Sequence, residues 1–325
     1  MFFLYILILV AGFVALIKGA DLFVEGSAAL AKNFKVPGLI IGLTIVALGT
    51  SAPELAVSTS AALQGSNEIA LSNVVGSNIF NLLCVLGVCA MIHPVPVDDK
   101  ILKRDFPVSL LATVLVLFGT SGACIVSGRF LNLSMEENAG LVNRILGIVL
   151  LIFFISYIIY LIVDAKKHPE PEEETTTRTV GACLLLILIG LALIVGGGQV
   201  VVYSAKEIAR AAGMTETLIG LTIVAVGTSL PELVTSIVAA RKGETGLAVG
   251  NVVGSNIFNL MFILGISATI HPVAVNLASV YDLGILIAVS ILAWLFSVSD
   301  RAIKQLEGAV MLGVYVADVV FAIVR

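Results

Sequence analysis

The chain has 325 residues, of which 59% are apolar and only 12% are charged, and its mean hydropathy is +1.10. Soluble domains carry about a quarter charged residues, so this composition excludes a single water-soluble globular fold and predicts a polytopic protein of the lipid bilayer. The net charge of −4 is uninformative about nucleic acid, but the sequence contains no basic tract that could follow phosphates, so no nucleic-acid partner is expected.

Ten segments are long and apolar enough to cross a membrane, which takes about 20 residues. The stretch DAKKHPEPEEETTTR at 164–178 is polar and acidic and divides the chain near its middle. We therefore expect a first five-helix repeat over 1–163, a cytoplasmic linker over 164–178 and a second five-helix repeat over 179–325. The ten predicted spans are 2–26, 37–63, 69–92, 106–126, 140–163, 180–205, 216–240, 247–270, 282–299 and 305–324.

Lysine and arginine residues are distributed unevenly between the loops on the two sides of these predicted spans. Cytoplasmic loops carry the excess of such residues in membrane proteins. The larger group has twelve members and the smaller group five, so we expect the larger group in the cytoplasm and both termini outside. The larger group is Lys32, Lys35, Lys100, Lys103, Arg104, Lys166, Lys167, Arg178, Arg241, Lys242, Arg301 and Lys304, and the smaller is Arg129, Arg144, Lys206, Arg210 and Arg325.

The two halves repeat each other at a fixed offset of 178 residues. GLTIVALGTSAPEL at 42–55 returns as GLTIVAVGTSLPEL at 220–233, and NVVGSNIFNL at 73–82 recurs unchanged at 251–260. Because each half has an odd number of predicted spans, the copies must enter the membrane in opposite directions. Inverted repeats are typical of secondary transporters, whose sites lie near the bilayer midplane where broken helices meet. The predicted fold is an all-α polytopic membrane protein of ten transmembrane helices in two inverted five-helix repeats.

The repeated GTSxPEL motif puts a helix breaker and a carboxylate inside a predicted span. Pro53 removes an amide donor and clashes with the carbonyl of Gly49, so we expect the helix to kink or unwind there. Carbonyls freed near 47–50 need partners, because non-helical backbone at membrane depth is tolerated only inside protein or beside a wet cavity. Glu54 costs about 2.5–3.5 kcal/mol at that depth and is therefore a functional candidate. The second copy supplies Ala225, Thr228, Ser229, Pro231, Glu232 and Ser236 in the same arrangement.

The second repeated motif, GSNIFN, adds neutral oxygen donors. Ser77 and Asn81 are four residues apart and share one face of a helix, and Ser255 and Asn259 repeat this pair. Carboxylates, hydroxyls, amides and backbone carbonyls together form an all-oxygen ligand set. Ca²⁺ prefers such ligands and Na⁺ would also accept them.

The repeated residues also have purely structural interpretations. The prolines could be simple kinks, and the two glutamates could be neutralised structural groups, although two carboxylates at matched depth favour a functional role. For Ser77 and Ser255, helix packing is as good an interpretation as ligation. Asn73 and Asn251 lie at predicted span ends, where we expect capping or turn roles.

GTSxPE in one span and GSNIFN in the next, both duplicated in an inverted ten-span chain, resemble the two alpha repeats of the sodium/calcium exchanger family, within the calcium/cation antiporter superfamily. The resemblance covers both halves. It implies transported Ca²⁺ and Na⁺ in a lipid bilayer, no cofactor and no obligate protein partner. The short linker excludes the regulatory calcium-binding domains of animal exchangers, which suggests a prokaryotic-type member in the inner membrane.

The resemblance also implies roles for individual residues. Glu54 and Glu232 would coordinate the central Ca²⁺ and compete for Na⁺, joined by the backbone carbonyls of Thr50 and Thr228. Asn259 is neutral where some relatives carry an aspartate, which favours K⁺-independent transport. The flanking Na⁺ positions would be lined by the carbonyls of Ala47 and Ala225 and the side chains of Ser51, Ser229, Ser77 and Ser255, with Asn81 and Asn259 beside the glutamates.

The sequence therefore predicts a secondary active antiporter, not an enzyme, that exchanges Ca²⁺ for Na⁺ by alternating access. The first two spans of each repeat would move against the other helices. A proton-coupled cation antiporter, with the proton on Glu54 or Glu232, is the alternative, and an ion channel is a further one. GTSG at 119–122 matches the G-x-S-G of intramembrane serine proteases, so a nucleophilic Ser121 with a histidine base is a remote alternative.

Overall fold

A computed structural model describes residues 2–64, 68–167, 178–214 and 225–324. Within these residues the chain is mainly helical. The helices are, in chain order, α1 Phe2–Phe34, α2 Gly38–Thr50, α3 Ala52–Leu63, α4 68–92, α5 Ile101–Val126, α6 Arg144–Lys167, α7 Val180–Ala211, α8 Ala225–Thr228, α9 Leu230–Arg241, α10 Thr245–Ile270, α11 Leu277–Asp300 and α12 Gln305–Val324.

Eight helices of the described residues are long and apolar enough to cross a bilayer, and α2 with α3 forms a ninth candidate when the bent pair counts as one span. These nine candidates coincide with nine of the predicted spans. The seventh predicted span, 216–240, begins outside the described residues, so the total of ten remains a prediction. The predicted linker at 164–178 also lies mostly outside them.

The two longest helices extend well beyond their predicted ends. The sequence predicts 2–26 and 180–205, whereas α1 has 33 residues and α7 has 32. At 1.5 Å per residue each is about 50 Å long, more than the roughly 30 Å hydrocarbon core of a bilayer. Apolar composition marks only the part of a helix that lipid surrounds, whereas backbone hydrogen bonding continues through the polar residues that follow.

The described chain forms two compact units. The first unit comprises Met1–Pro53 and Val163–Val252, and the second comprises Glu54–Ile162 and Val253–Arg325. Each unit therefore combines segments from both predicted repeats. The division into a repeat before 164–178 and a repeat after it remains a prediction from the sequence.

In the first unit, α1 packs along α7 through small residues. A Cβ at Gly190 would lie 2.6 Å from the backbone nitrogen of Phe23 and 2.7 Å from the carbonyl oxygen of Gly19. A Cβ at Gly197 would lie 2.9 Å from the carbonyl oxygen of Gly12. Such close approach of helix backbones is typical of glycine contacts between membrane helices. Gly12 and Gly190, like Gly19 and Gly197, are related by the 178-residue offset, so the two contacts repeat each other.

The second unit also contains two short strand pairs, which were not predicted from the sequence. They are β1 (Val95–Pro96) with β4 (Ala302–Ile303), and β2 (Asn138–Val142) with β3 (Val273–Asn276), both antiparallel. The α4 and α10 helices end at His93 and His271, whose backbones are extended. Each of these histidines precedes a proline, which disfavours helical backbone at the preceding residue. The chain therefore leaves each helix as a strand.

The π-helical turns in four of the described helices were not predicted from the sequence. They are Gly42–Val46 in α2, Ile101–Asp105 at the start of α5, Asn81–Val85 in α4 and Phe258–Ile263 in α10. The last two coincide with the end of the repeated GSNIFN motif. Single π-helical turns inside α-helices occur frequently at functional sites. The α10 helix is almost entirely buried and α4 is mostly buried.

Candidate functional site

The predicted helix break occurs in both copies of GTSxPEL. The helical axis bends by 50° between α2 and α3, on either side of Ser51. Ser51 has φ −83° and ψ 11°, and Ser229, between α8 and α9, has φ −93° and ψ 7°. These dihedrals lie in the sparsely populated bridge region, where many active-site residues are found. The kink that the sequence predicted at Pro53 is therefore confirmed, and Ser229 shows the same break in the second copy.

Each glutamate lies in the first turn of the helix that restarts after the break. Glu54 is in the first turn of α3 and Glu232 in the first turn of α9, and both side chains are 0% exposed. The first turn of a helix has backbone N–H groups without helical acceptors and the positive end of the helix dipole. This position therefore lowers the cost of placing a carboxylate inside the protein.

The first unit contains a polar group that we name the Glu232 cluster: Thr50, Ser51, Glu232, Ser236 and Asn251. Ser51 Oγ donates to Glu232 Oε1 at 2.7 Å, and Thr50 Oγ1 donates to Asn251 Oδ1 at 2.9 Å. Asn251 Nδ2 donates to Ser236 Oγ at 2.9 Å and to the Glu232 carbonyl oxygen at 3.4 Å. All five side chains are 0% exposed. Residues of both GTSxPEL copies thus meet around one carboxylate.

The second unit contains the corresponding Glu54 cluster: Glu54, Ser58, Asn73 and Ser77. Ser77 Oγ donates to Glu54 Oε1 at 3.2 Å. Asn73 Nδ2 donates to Ser58 Oγ at 2.9 Å and to the Glu54 carbonyl oxygen at 3.3 Å. Two of these bonds repeat those of Asn251 with Ser236 and Glu232 at the 178-residue offset. Glu54, Ser58 and Ser77 are buried, and Asn73 is half-buried.

The expected capping or turn roles of Asn73 and Asn251 are wrong. Both residues lie inside long helices, α4 and α10, and both bind the backbone carbonyl of the glutamate in their own cluster. The sequence placed them at span ends because the preceding loop residues are polar, but helical hydrogen bonding begins at Glu68 and Thr245. Their identical spacing from the glutamates, 19 residues in each copy, was the available signal.

The second unit also contains the asparagine network, formed by Asn78, Asn81, Asn256 and Asn259. Asn78 Nδ2 donates to the Asn256 carbonyl oxygen at 3.1 Å, and Asn256 Nδ2 donates to the Asn78 carbonyl oxygen at 3.2 Å. Asn81 Nδ2 donates to Asn256 Oδ1 at 3.2 Å, and Asn259 Nδ2 donates to Asn78 Oδ1 at 3.0 Å. Asn259 Nδ2 also reaches Ser77 Oγ at 3.4 Å, which joins the network to the Glu54 cluster. Asn78 and Asn256 were not among the site residues predicted from the sequence.

The remaining predicted ligands lie at or beside these groups of residues in the chain. The Ala47 carbonyl oxygen accepts bonds from Ser51 N at 3.0 Å and Thr50 Oγ1 at 3.3 Å. Ala225 begins α8, and Thr228 ends it. Ser229 and Ser255 are 0% exposed. The structure thus brings Thr50, Ser51 and Glu232 together in the first unit, and Glu54, Ser77 and Asn259 together in the second.

The two clusters and the asparagine network offer hard oxygen ligands, some neutral and some anionic. Each cluster presents one carboxylate with hydroxyl groups, and the asparagine network adds amide carbonyls. Such donors suit Ca²⁺ and Na⁺ better than softer metals. Within the described ranges, no three or more His, Cys, Asp and Glu side chains are grouped so that they could hold a metal ion.

Comparison with known proteins agrees with this chemistry. The family described as sodium/calcium exchanger protein matches residues 4–163 and 182–324. CaxA of Alkalimonas amylolytica is 37% identical over 317 residues, 94% of each chain. The sodium/calcium exchanger MaX1 of Methanosarcina acetivorans is 33% identical over 340 residues, 97% of each chain.

A solved structure shares the fold. The sodium-calcium exchanger NCX_Mj, soaked with 10 mM Na⁺ and 10 mM Sr²⁺, matches with a TM-score of 0.81 and 31% identity, over 98% of this chain and 99% of that one. The family consists of membrane antiporters, which gives no support to the protease alternative at Ser121. The long apolar helices, the two buried carboxylates and these matches lead to one assignment: the chain belongs to the sodium/calcium exchanger family.

Proposed function

We propose that this chain exchanges Ca²⁺ for Na⁺ across a membrane and that Glu54 and Glu232 bind the transported cations. The observation that carries the proposal is a pair of fully buried carboxylates at repeat-related positions, each surrounded by hydroxyl and amide groups. Intramembrane carboxylates are costly, and they mark ion pathways in membrane proteins. The names of MaX1 and NCX_Mj, both sodium/calcium exchangers, support the same pair of ions.

Charge balance explains why such a protein would exchange ions and not leak them. Two carboxylates are neutralised by one Ca²⁺ or by several Na⁺. Without a cation, their charge would remain uncompensated in a medium of low dielectric constant, which is energetically costly. The conformational change would therefore proceed mainly with a cation bound, and a cation carried in one direction would be replaced by another carried back.

The other predicted ligands complete the proposed coordination. Thr50 and Thr228 would contribute backbone carbonyls beside the glutamates. Asn81 and Asn259 would contribute amide oxygens, and the neutral amide of Asn259 would make transport independent of K⁺. The flanking Na⁺ positions would be formed by the carbonyls of Ala47 and Ala225 and by the hydroxyls of Ser51, Ser229, Ser77 and Ser255.

Alternating access is the proposed mechanism, in a chain of ten spans arranged as two inverted repeats with both termini outside a prokaryotic inner membrane. The first unit contains the first span of each repeat, the second span of the first repeat up to Pro53, and the described residues of the second repeat from Ala225 to Val252, which include the start of α10. Because most of this compact unit belongs to the first two spans of each repeat, it supports the proposal that these spans move together. Val95 and Val273, which the 178-residue offset relates, both lie in short strands, where they pair with Ile303 and Val142, and this supports a common architecture for the two halves.

Proteoliposomes containing the purified chain test the coupling ion. We expect Ca²⁺ uptake when Na⁺ is loaded inside and diluted outside, and no stimulation by added K⁺. A pH gradient without Na⁺ should drive no uptake. If the pH gradient drove uptake and the Na⁺ gradient did not, the chain would be a proton-coupled antiporter, and the proposed Na⁺ coupling would be overturned.

A further inference from the structure

The asparagine network has a feature that cation ligation alone does not explain. Asn78 and Asn256 are 0% and 1% exposed, and each uses its whole amide group inside the protein. The Nδ2 of each donates to the backbone carbonyl oxygen of the other, at 3.1 and 3.2 Å. Because these two bonds fix both amide planes, the two Oδ1 atoms have defined positions.

The Oδ1 atoms accept hydrogen bonds from two of the proposed ligands. Asn78 Oδ1 accepts from Asn259 Nδ2 at 3.0 Å, and Asn256 Oδ1 accepts from Asn81 Nδ2 at 3.2 Å. Each bond joins one repeat to the other, since Asn78 and Asn81 belong to the first GSNIFN copy and their partners to the second. All bonds of this set therefore occur in repeat-related pairs.

In the amide groups of Asn81 and Asn259, the carbonyl oxygen has a different environment from the NH₂ group. Asn81 Oδ1 and Asn259 Oδ1 are buried and accept no hydrogen bond from the residues that the structure describes. A buried carbonyl oxygen without a partner is unfavourable, and a bound cation would compensate it. If either amide were reversed, its oxygen would face the Oδ1 of Asn78 or Asn256, and two acceptors would meet without a proton between them.

We propose that Asn78 and Asn256 are positioning residues that hold the amides of Asn259 and Asn81 with their carbonyl oxygens available to the transported cation. This inference rests on the proposed function. The two positioning residues do not touch the cation. They act by occupying the NH₂ group of each ligand, and each residue orients the ligand that comes from the other repeat.

The test measures equilibrium binding of ⁴⁵Ca²⁺ to the purified full-length chain in detergent without Na⁺. Partners of metal ligands typically contribute about 10- to 100-fold to metal affinity. We therefore expect Asn78→Ala to raise the Kd for Ca²⁺ by about tenfold or more. In the Asn259→Ala background, Asn78→Ala should add little, because the ligand that it orients is already absent.

A mismatched pair distinguishes positioning from general loss of structure. When Asn78→Ala is added to Asn81→Ala, the Kd for Ca²⁺ should rise by nearly the same factor as when Asn78→Ala is added to the wild-type chain. The two effects are independent because Asn256, and not Asn78, orients Asn81. Ser290→Ala is the control for loss of a buried hydroxyl in the second unit. Ser290 is 3% exposed, and its hydroxyl donates to the Leu286 carbonyl oxygen within α11. Its Kd should stay at the wild-type value.

Thermal unfolding without cations shows whether each variant is folded. Should Asn78→Ala fail to fold, the repeat-related variant Asn256→Ala gives the same test. Its matched pair is with Asn81→Ala, and its mismatched pair is with Asn259→Ala. The inference is overturned if folded Asn78→Ala binds Ca²⁺ with wild-type affinity, or if the matched and mismatched pairs behave alike. Those results leave the proposed function intact, whereas a wild-type chain that bound no Ca²⁺ would overturn both.

Discussion

The Glu232 cluster and the Glu54 cluster share a glutamate, a serine and an asparagine at the same spacing, but they are not equally enclosed. Asn251 is 0% exposed, whereas Asn73 at the related position is half-buried. Pro231 is likewise buried, and Pro53 is half-buried. A transporter with two equivalent halves is expected to open them to different sides, so its halves should differ in exposure within one conformation. Duplication therefore preserves the chemistry of the two clusters but not their degree of enclosure.

The asparagine network behaves differently, because its bonds are matched in pairs across the repeats. In these bonds each amide group constrains another. The asparagine network is therefore matched between the repeats, whereas the enclosure of the two clusters is not. The following experiments test this difference.

The largest expected effect is the loss of either carboxylate. Glu54→Gln and Glu232→Gln should each reduce Ca²⁺ affinity by more than the roughly 10- to 100-fold typical of outer partners, because a direct charge is removed. Na⁺-driven Ca²⁺ uptake into proteoliposomes would measure the accompanying loss of transport. Asp318→Asn is the matched control, since Asp318 is a carboxylate of α12 outside both repeated motifs, and it should transport normally. Normal uptake by either Gln variant would mean that the clusters are not equivalent binding elements.

The second experiment compares the repeat-related asparagines. Asn251→Ala should destabilise the folded chain by about 1–3 kcal/mol, because the fully buried hydroxyl groups of Thr50 and Ser236 would each lose a hydrogen-bond partner. Asn73→Ala should cost less than about 1 kcal/mol, because water can replace a half-buried group. Unfolding in detergent with increasing denaturant measures both values. Equal losses, or a larger loss at Asn73, would contradict the difference in enclosure.

The third experiment measures access directly. In a background lacking the four free cysteines, Asn73→Cys should react faster with a water-soluble thiol reagent than Asn251→Cys. Thiol reactivity follows exposure and thiolate content, and a buried thiol reacts slowly. Adding Ca²⁺ or Na⁺ should change the ratio of the two rates if the cations shift the exposure of the clusters. If Asn73→Cys and Asn251→Cys reacted at equal rates under all conditions, the two clusters would not differ in exposure.

The smallest expected effect lies outside the clusters, at an exposed ion pair beside β1 and β4. A hydrogen bond from Lys103, together with the charge of Arg301, lowers the pKa of Asp99 below its ordinary value of 3.8. A carboxyl group whose pKa is lowered by folding stabilises the protein above its unfolded pKa, and this contribution disappears as the pH falls through the folded pKa. Asp99→Asn should therefore lower the melting temperature slightly at pH 7, with a difference that shrinks below about pH 4. A difference independent of pH would exclude the ionic explanation.

Features that depend on local covalent chemistry were predictable from the sequence. Pro53 and Pro231 lack an amide hydrogen wherever they stand, so the helix breaks beside them could be predicted without knowledge of their neighbours. The 178-residue repeat and the apolar spans are also properties of the chain itself, and they indicated a membrane transporter with two intramembrane glutamates. The extended backbones of His93 and His271, which precede Pro94 and Pro272, also had a local cause. The pairing of the following residues into strands did not.

Partnership between distant residues was decided only by the tertiary structure. Nothing in the spacing of NVVGSNIFNL indicates that Asn78 binds Asn256, 178 residues away. The identical 19-residue spacing of Asn73 and Asn251 from the glutamates was a signal, but by itself it does not specify a bond to the glutamate carbonyls. The length of α1 and α7 beyond their apolar segments was likewise hidden, because hydropathy records the surrounding lipid and not backbone hydrogen bonding. The sequence determined which chemical groups the protein has inside the membrane, and only packing of the two repeats decided which of them meet, because those contacts depend on non-local geometry.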